Sequence, residues 1–448
     1  MLDEELLVRT LSNHEIELFR EEYFNLHPYD RAKFYLRLTP ELRERIYECL
    51  SPEEMADVFE NLDADDEDYE PILAEMNSQY AADMLGKMYT DDAVDVLNEL
   101  NKDQMASYLT IMDDESAKGI KDLLHYEEYT AGSIMTTEFV SIPEHSTVRS
   151  AMAILRNKAP NAETIYYTFV INDEKKLVGV VSLRDLITSS DDTLIQEIMS
   201  DRVVSVSVGD DQENVARTMK DYDFLALPVL DFQGHLLGII TVDDIIDVLD
   251  EEASDDYSKL AGIYDIDSKD RTSFRAAKKR LPWLIALLFL GMLTANLLGR
   301  FEATLEELAT LAVFIPLIAG MAGNAGTQAL AVVIRSIATG DIREESTWKL
   351  IAREAGTGLI TGTTSGILVI GIVYLSFDGS IYFGLLVGVS ILASLIVATL
   401  AGSLVPLIMH KFNIDPAVAS GPFITTINDL ISILIYFGIA TAFMSYLV

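Results

Sequence analysis

The sequence predicts a multidomain membrane protein built from an all-α superhelical N-terminal domain, an α+β pair of repeated modules and a transmembrane domain of five α-helices. Three observations support this fold class. Acidic residues are concentrated in the first part of the 448-residue chain, a duplicated motif follows, and five long apolar runs occupy the remainder. We place the parts at residues 1–130 and 131–250, then a connecting helix with a basic linker at 251–278, then the transmembrane domain at 279–448.

The two parts of the chain differ in net charge. Residues from Arg271 onward contain 11 Lys/Arg and 10 Asp/Glu, whereas the whole chain contains 33 and 71, so residues 1–270 carry a net charge of −39. A surface this negative repels nucleic acid and attracts cations, so we expect divalent cations and no nucleic acid among its partners. Cys49 is the only cysteine, which excludes an intrachain disulfide and a thiolate metal site. The acidic N-terminus has no apolar run, so we expect the first part to remain in the cytoplasm.

Residues 1–130 show apolar positions at a period of 3.6 between short acidic turns, which indicates packed helices. A weak repeat links Leu50–Phe59 to Tyr89–Leu97. Each copy has a Ser or Thr as the expected helix cap, acids in the first turn and then an apolar stripe. A third echo starts at Asn101. The repeats favour helical hairpins stacked into a small superhelix.

Residues 131–250 contain a clearer duplication. Leu177–Ile187 is echoed by Leu236–Ile246, and Ile134–Thr136 is echoed by Ile198–Ser200. Each copy predicts a strand, a helix, two paired strands and a closing helix. These duplicated segments resemble a tandem pair of CBS domains.

Five apolar runs in the last part are each long enough to cross a bilayer. They cover residues 281–299, 308–334, 355–377, 380–409 and 417–447. Basic residues precede the first run and lie between the second and third, at Lys278–Arg280, Arg335, Arg343, Lys349 and Arg353. The positive-inside rule makes these segments cytoplasmic and the C-terminus extracytoplasmic, in the cell (inner) membrane. Five runs without an internal inverted repeat favour a pore on the twofold axis of a homodimer embedded in the lipid bilayer.

Asp429 is the only charged residue from Ala417 to Val448. Twelve residues separate it from Ala417, about 18 Å of helix, which places the carboxylate near the middle of the bilayer. A charge there costs a few kcal/mol and persists mainly where it meets a polar cavity, a partner or an ion. We therefore interpret Asp429 as a functional residue. A neutral carboxyl that is hydrogen-bonded between helices is the alternative.

Two of the apolar runs carry polar faces beside small residues. In the second run, three side chains share one helical face: Asn324, Thr327 and Gln328. In the fifth run, Gly421 and Thr425 precede Asp429 at i, i+4 spacing. Either face alone is compatible with helix packing, but two of them favour an ion path. Their carboxylate, amide and hydroxyl oxygens suit Mg²⁺, which keeps several waters and needs only one or two carboxylates; Mn²⁺ and Co²⁺ stay open.

Acidic residues recur at helical spacing before the membrane. They are Asp243, Asp247, Glu251 and Asp255, with Asp244, Glu252 and Asp256 beside them. Asp91 and Asp95 form a similar pair in the N-terminal domain. Like charges at this spacing repel by a few tenths of a kcal/mol per pair, and cations relieve the repulsion. The acids predict a regulatory site that closes the acidic part at high cation concentration, and a solvated acidic face is the alternative.

The order of parts, together with the motifs at 323–328 and 421–429, resembles the MgtE family of magnesium channels over essentially the whole chain. The resemblance implies a homodimer in which Asp429 holds hydrated Mg²⁺. Gly421 and Thr425 would line the path, with Asn428 in the same pore site. The acidic connecting helix would be a plug that Mg²⁺ closes when it binds between the acids.

The same resemblance implies that the CBS pair holds ATP as a regulatory ligand. Ser182 and Asp185 occupy the family's Ser/Thr-x-x-Asp position for the ribose, and Phe224 would stack on the base. No enzymatic activity is implied.

The leading prediction is a Mg²⁺-selective channel or transporter for uptake, gated by intracellular Mg²⁺. The alternative is a proton- or Na⁺-coupled divalent cation transporter or exporter that uses Asp429 as the coupling carboxyl. An intramembrane metalloprotease is not expected, because His14–Leu18 lacks the second histidine of a His-Glu-x-x-His zinc motif. The chain also lacks a Gly-x-x-x-x-Gly-Lys-Ser/Thr phosphate loop, which argues against ATP-driven pumping.

Overall fold

The structure, a computed structural model, describes residues 4–62, 69–263, 272–307, 309–339, 347–376, 381–412 and 414–447. The chain divides into two compact units, Met1–Glu252 and Ala253–Val448. Short helices come first, then two similar three-stranded sheets, then long apolar helices, and this order confirms the predicted fold class.

The described N-terminal domain consists of ten short helices. They are α1 Glu4–Ser12, α2 Ile16–Phe24, α3 Pro28–Arg37, α4 Pro40–Cys49, α5 Pro52–Phe59, α6 Tyr69–Ala74, α7 Ser78–Leu85, α8 Thr90–Asn98, α9 Lys102–Ile111 and α10 Asp114–Leu123. Helices two places apart in the chain pack together, with α3 on α5, α5 on α7 and α7 on α9. Large aromatic side chains fill the buried face, among them Tyr23, Tyr35 and Phe59. This is the stacked arrangement that the repeats predict.

The two clearest predicted helix starts have different caps. Ser51 forms the expected capping box with Glu54: its Oγ accepts from the Glu54 N–H at 3.2 Å, and the carboxylate accepts from the Ser51 N–H at 2.9 Å. The cap predicted at Thr90 is wrong. Thr90 is already the first residue of α8, and Tyr89 before it provides no side-chain cap. Acids from other segments accept the N–H groups there instead.

The duplicated part forms two sheets with the same strand order. The strands are β1 Ser141–Pro143, β2 Tyr167–Ile171 and β3 Leu177–Ser182 in the first sheet, and β4 Val206–Ser207, β5 Ala226–Leu230 and β6 Leu236–Thr241 in the second. In each sheet the first two strands are parallel and the last two antiparallel. The helical segments of the pair are α11 Val148–Lys158, a 3₁₀ turn at Ala159–Asn161, α12 Leu183–Thr188, α13 Ile195–Ile198 and α14 Gln212–Tyr222.

The two copies exchange their leading segments. Thr136, from the first repeated leader, pairs with Ile239 on β6 of the other copy, and Ser200 pairs with Val180 on β3. Glycine permits the first of these contacts, because a Cβ on Gly238 would lie 2.5 Å from the Thr136 carbonyl oxygen. The sequence duplication is therefore also an interlock between the copies.

The connecting helix begins earlier than predicted. This helix, α15, runs from Val242 to Leu260 and continues directly from β6, whereas we expected a separate element after residue 250. Gly262, two residues after its last helical residue, has a φ of +70°, the left-handed conformation that terminates many helices. The Ile263 N–H donates to the Ser258 carbonyl at 2.9 Å. Residues 264–271 of the predicted linker lie outside the described residues.

Five described helices are long and apolar enough to cross a membrane, which agrees with the five predicted runs. The helices of this part are α16 Ser273–Gly299, α17 Glu302–Glu307, α18 Ile315–Ala338, α19 Thr347–Ser376, α20 Ile381–Lys411 and α21 Gly421–Leu447. Two 3₁₀ turns, Ala309–Phe314 and Pro416–Val418, precede α18 and α21. The basic residues at 278–280 lie inside α16, and Arg343 lies outside the described residues.

Small residues bring the long helices together. On α19, a Cβ on Gly366 would lie 2.7 Å from the Gly388 carbonyl oxygen on α20, and a Cβ on Gly362 would lie 3.0 Å from the Leu392 carbonyl oxygen. The α19 glycines therefore allow this helix to pack closely against α20. A Cβ on Gly402 of α20 would overlap the backbone of α18. These contacts make α20 the central helix of the second unit.

Replacing Gly238 by Ala tests the interlock between the two repeated copies. We expect Gly238→Ala to cost about 1–3 kcal/mol, because the added methyl group must displace the Thr136 backbone or the Met135 side chain. Calorimetry of the full chain in detergent should show the first unit unfolding at a temperature lower by roughly 2–12 °C. Gly209→Ala is the control, since a Cβ there meets nothing within 4 Å. Equal midpoints for the two variants would contradict the prediction.

Candidate cation and nucleotide sites

Three acids from separate segments meet in the first unit. Asp91 is in the first turn of α8, Glu163 follows the 3₁₀ turn before β2, and Asp244 is in the first turn of α15. One carboxylate oxygen from each lies within 4.8 Å of the others. Carboxylate oxygens at this separation are the ligand type that Mg²⁺ and Ca²⁺ prefer.

The acid cluster, Asp91, Glu163 and Asp244, is poorly hydrated. Asp91 is only 7% exposed. Its Oδ1 atom and the Oε2 atom of Glu163 have no hydrogen-bond partner within the part of the chain that the structure describes. Asp244 Oδ2 accepts from the Thr241 hydroxyl at 2.6 Å, and Glu163 accepts from the same hydroxyl at 3.0 Å. Buried acceptors without donors are costly unless a cation or protons reach them.

Burial and mutual repulsion raise the pKa of every member of the acid cluster. Burial, with the charge of Asp92 next, raises the pKa of Asp91 well above its ordinary value. Burial raises the pKa of Glu163 to about 7 and that of Asp244 to about 6. Two flanking acids behave alike: burial raises the pKa of Asp92 to about 9 and that of Glu60 to about 7. A divalent cation would displace these protons and relieve the repulsion.

The structure brings together two of the predicted regulatory acids, Asp91 and Asp244. Asp95 and Asp247 are exposed, and their charges contribute to the raised pKa values of Asp91 and Asp244 respectively. Glu252 accepts from the Gln212 side chain at 2.8 Å.

Sequence reasoning missed Glu163, Asp92 and Glu60. The sequence could have indicated Asp92, because it directly follows Asp91 in the same acidic turn. Glu163 and Glu60 lie in turns without any repeated acidic pattern, so only the tertiary contacts reveal them.

The last turns of α15 belong to the second unit and pack against membrane helices. Lys259 forms ion pairs with Asp255 on its own helix and with Asp415 in the loop before α21. Asp255 is thus paired with a lysine, and Asp256 beside it is half-buried. A Cβ on Gly262 would lie 2.5 Å from the Trp283 Nε1 atom of α16.

The predicted pore face of α21 divides into two sets. A Cβ on Gly421 would lie 3.3 Å from the Leu260 carbonyl oxygen and 3.2 Å from the Thr327 side chain. The Thr425 and Thr327 hydroxyls are 3.3 Å apart. Asn428 is 1% exposed, and a Cβ on Gly326 would overlap its Nδ2 atom. Gly421, Thr425 and Asn428 therefore pack against α18 of the same chain.

The second set consists of polar side chains that are exposed or half-buried on the single chain. Asn324 and Gln328 on α18 are exposed, and Asp429 on α21 is half-buried. Polar side chains at the surface of membrane-spanning helices are costly unless they face water, an ion or another subunit. The structure thus separates Asp429, Asn324 and Gln328 from the residues that hold the two helices together.

A cavity of about 530 Å³ opens beside the predicted ribose residue Ser182. Tyr166, Tyr167 and Arg184 line it. Asp185 does not line the cavity, but its carboxylate accepts from the Ser182 hydroxyl at 2.6 Å.

Phe224, predicted to stack on the base, instead stacks on Tyr222 with ring centroids 5.3 Å apart, and Leu225 lines the cavity in its place. Sequence reasoning missed Tyr166 and Arg184, which offer an aromatic face and a guanidinium group suited to a base and a phosphate.

Three family models match successive parts of the chain. The model of the MgtE divalent cation transporter domain matches residues 315–439, the MgtE intracellular N domain matches 26–129, and the CBS domain matches 131–192 and 195–251. The magnesium transporter MgtE of Enterococcus faecalis is 54% identical over 443 residues, which cover 99% of this chain and 97% of that protein. The chain belongs to the MgtE family of magnesium transporters.

Other MgtE proteins are also similar over most of their length. The magnesium transporter MgtE of Bacillus subtilis is 40% identical over 84% of this chain and 86% of its own. That of Thermus thermophilus is 38% identical over 78% of each. The expected family resemblance, magnesium transport and CBS pair are therefore confirmed.

Two crystal structures share the fold of the first unit. One, of the soluble part of a magnesium transporter, is 57% identical, covers 56% of this chain and 98% of its own, and has a TM-score of 0.55. The other, of the cytosolic domain of the Mg²⁺ channel MgtE in complex with ATP, is 35% identical, covers 55% and 99%, and has a TM-score of 0.51.

The raised pKa values predict that Mg²⁺ stabilises the first unit more at high pH. Without cation the folded state holds protons more tightly than the unfolded chain, so its stability falls as pH rises from about 5 toward 9. The rise in unfolding temperature produced by about 10 mM Mg²⁺, a concentration above the millimolar range of weak oxygen-ligand sites, should be larger at pH 8.5 than at pH 6. Glu163→Gln should reduce this difference. An equal rise at the two pH values in the wild-type chain would contradict the prediction.

Proposed function

We propose that this MgtE-family transporter is a Mg²⁺ channel for uptake, with its path on the twofold axis between two copies. The observation that carries the proposal is the outward set on one chain, Asp429 with Asn324 and Gln328. These polar groups lie on membrane-spanning helices that are apolar elsewhere, so a second copy is the natural source of a polar path. Two Asp429 carboxylates would balance one divalent ion that keeps its water.

The other predicted pore residues on α21 contact α18 and so fix the position of the helix that carries Asp429. Gly421, Thr425 and Asn428 hold α21 against α18, and this contact sets the direction in which the next residue, Asp429, projects. We assign them to the pore site as residues that position Asp429. Their small size and hydroxyl or amide groups permit a close helix approach that bulkier side chains would prevent.

Gating follows from the acid cluster. We propose that intracellular Mg²⁺ binds Asp91, Glu163 and Asp244, with Asp95, Asp247, Glu252 and Asp256 adding negative charge along the same helices. Bound Mg²⁺ would hold α8 against the first turn of α15. The last turn of α15 packs beside Gly421, so this one helix would connect cation binding to the pore face. High internal Mg²⁺ would thus favour a closed pore.

ATP is proposed as a second regulatory ligand, at the cavity beside Ser182. The relative whose cytosolic domain was crystallised with ATP supports this assignment. In this chain Tyr166 would contact the base, the Ser182–Asp185 pair the ribose, and Arg184 the phosphates. Phe224 would act through its neighbour Leu225, which reaches the cavity.

We further propose that the chain lies in the cell membrane with its first unit in the cytoplasm. Lys278–Arg280, Arg335 and Arg353 lie near one set of helix ends, and this distribution of positive charge supports the orientation. The C-terminus, after α21, would then be extracytoplasmic.

Removing the Asp429 carboxylate tests the pore. We expect Asp429→Ala and Asp429→Asn to abolish rescue of a Mg²⁺-auxotrophic strain, because neither variant can balance the charge of the ion. Glu302→Ala, which removes an exposed acid from the same unit, should rescue like the wild-type chain. Rescue by Asp429→Ala would exclude the pore assignment. Uptake that requires a proton or Na⁺ gradient in addition to the membrane potential would favour coupled transport instead.

Removing a ligand of the acid cluster tests gating. We expect internal Mg²⁺ to slow uptake by vesicles containing the wild-type chain, and Asp91→Asn to raise the inhibitory Mg²⁺ concentration by more than about tenfold. Asp103→Asn on α9 is the control, since this exposed acid lies outside the cluster. Gating at the cluster would be excluded if Asp91→Asn and wild type were inhibited at the same concentration.

A further inference from the structure

Glu138 accepts an unusual number of hydrogen bonds for a single carboxylate. Its Oε2 atom accepts from the Thr136 hydroxyl at 2.8 Å, the Thr137 N–H at 3.1 Å and the Thr90 N–H at 3.4 Å. Its Oε1 atom accepts from the Thr137 hydroxyl at 3.2 Å and from the Thr90 hydroxyl. Five donors occupy the roughly four lone-pair positions of a carboxylate, so little capacity is left for a metal ion.

The contacts to Thr90 take the place of the missing cap on α8. Tyr89, at the position before the helix, offers no side-chain bond, and the first N–H groups of a helix need acceptors from elsewhere. Glu60 accepts from the Tyr89 N–H at 2.9 Å, and Glu138 accepts from the Thr90 N–H. Glu138, which lies between α10 and β1 in the chain, therefore fixes the helix end that carries Asp91.

The main chain around Glu138 contacts the other two segments of the acid cluster. The Glu163 N–H donates to the Glu138 carbonyl oxygen at 2.9 Å. Two residues earlier, Thr136 exchanges backbone hydrogen bonds of 2.8 and 3.0 Å with Ile239 on β6, the strand that leads into α15 and Asp244. The Glu138 side chain is thus hydrogen-bonded to the start of α8, which carries Asp91. Its main chain is hydrogen-bonded to Glu163. The pairing of Thr136 with Ile239 holds it near the strand that leads to Asp244.

We infer that Glu138 is a positioning residue of the regulatory cation site: it sets the separation of Asp91, Glu163 and Asp244 without binding the cation itself. This inference rests on the proposed gating site and adds the group that preorganises it. Residues that orient the ligands of a metal typically change its affinity by about 10–100-fold when removed.

A cavity next to Glu138 makes the side chain suitable for truncation. The cavity has a volume of about 280 Å³ and is lined by Glu138, Thr90, Thr137, Glu115 and Ser116, among other residues. It is polar on this side and large enough for water to enter the space left by a shorter side chain. We therefore expect Glu138→Ala to fold, with α8 less firmly held at its first turn.

The test compares four variants of the full chain in detergent by protection against trypsin during a Mg²⁺ titration. Glu138→Ala should raise the Mg²⁺ concentration at half-protection by about 10–100-fold and still reach wild-type protection at saturation. Glu138→Gln should stay close to wild type, because its amide oxygen can accept the two N–H donors while its NH₂ group donates to the threonine hydroxyls. Asp91→Asn should lose saturable protection. Glu115→Ala, which removes another acid lining the same cavity, should match wild type.

Each contrary outcome has a distinct meaning. If Glu138→Ala keeps the wild-type midpoint while Asp91→Asn loses protection, the inference is overturned and the gating site stands. If Glu138→Gln fails like Asp91→Asn, Glu138 is a ligand and the positioning role is overturned. If protection of the wild-type chain does not depend on Mg²⁺, the proposed gating fails.

Thr90→Val covers the case in which Glu138→Ala does not fold. It removes the Thr90 hydroxyl, which contacts Glu138 and the Thr137 hydroxyl, and should raise the midpoint by a smaller factor than the loss of the whole carboxylate. An unchanged midpoint in Thr90→Val, with cation-free thermal stability lowered, would indicate a merely structural contact and would also overturn the inference.

Discussion

The mutual repulsion of three poorly hydrated carboxylates is the constraint on which the first unit depends. Asp91, Glu163 and Asp244 come from three separate segments, and each ionised group there loses hydration and repels the other two. Protons or a divalent cation must therefore accompany the arrangement. Whatever neutralises the charges also holds the segments together, because no one segment supplies all three carboxylates.

The helix α15 contributes residues to both units of the chain. It is 19 residues long, about 28 Å, and carries Asp244 in its first turn. Its last turn pairs Lys259 with Asp415 and places Gly262 against Trp283. The helix has no internal Gly or Pro, and the proposed gating assigns it the connection between the acid cluster and the membrane helices.

In the membrane helices, packing between helices and the placement of the Asp429 carboxylate depend on different residues at neighbouring positions. Small residues such as Gly326 and Gly402 let the backbones of α18, α20 and α21 approach, and Asn428 fills the space that Gly326 leaves. One residue further along α21, Asp429 projects from the same turn in another direction. Packing residues consequently determine where the carboxylate lies, which explains why a single motif contains both glycine and aspartate.

The amino-acid sequence by itself determined the order of the parts, the five spans, the CBS duplication and the isolated charge at Asp429, because periodicity, length and a single acid in an apolar run are local properties. It also identified Asp91 and Asp244, but as members of separate acidic patterns. Tertiary structure alone added Glu163 and Glu138, whose roles depend on contacts with residues far away in the chain. It also decided that Asn428 faces α18, that Leu225 and not Phe224 lines the cavity beside Ser182, and that Thr90 is capped by a distant carboxylate. Each of these depends on which segments meet, and local pattern carries no information about that.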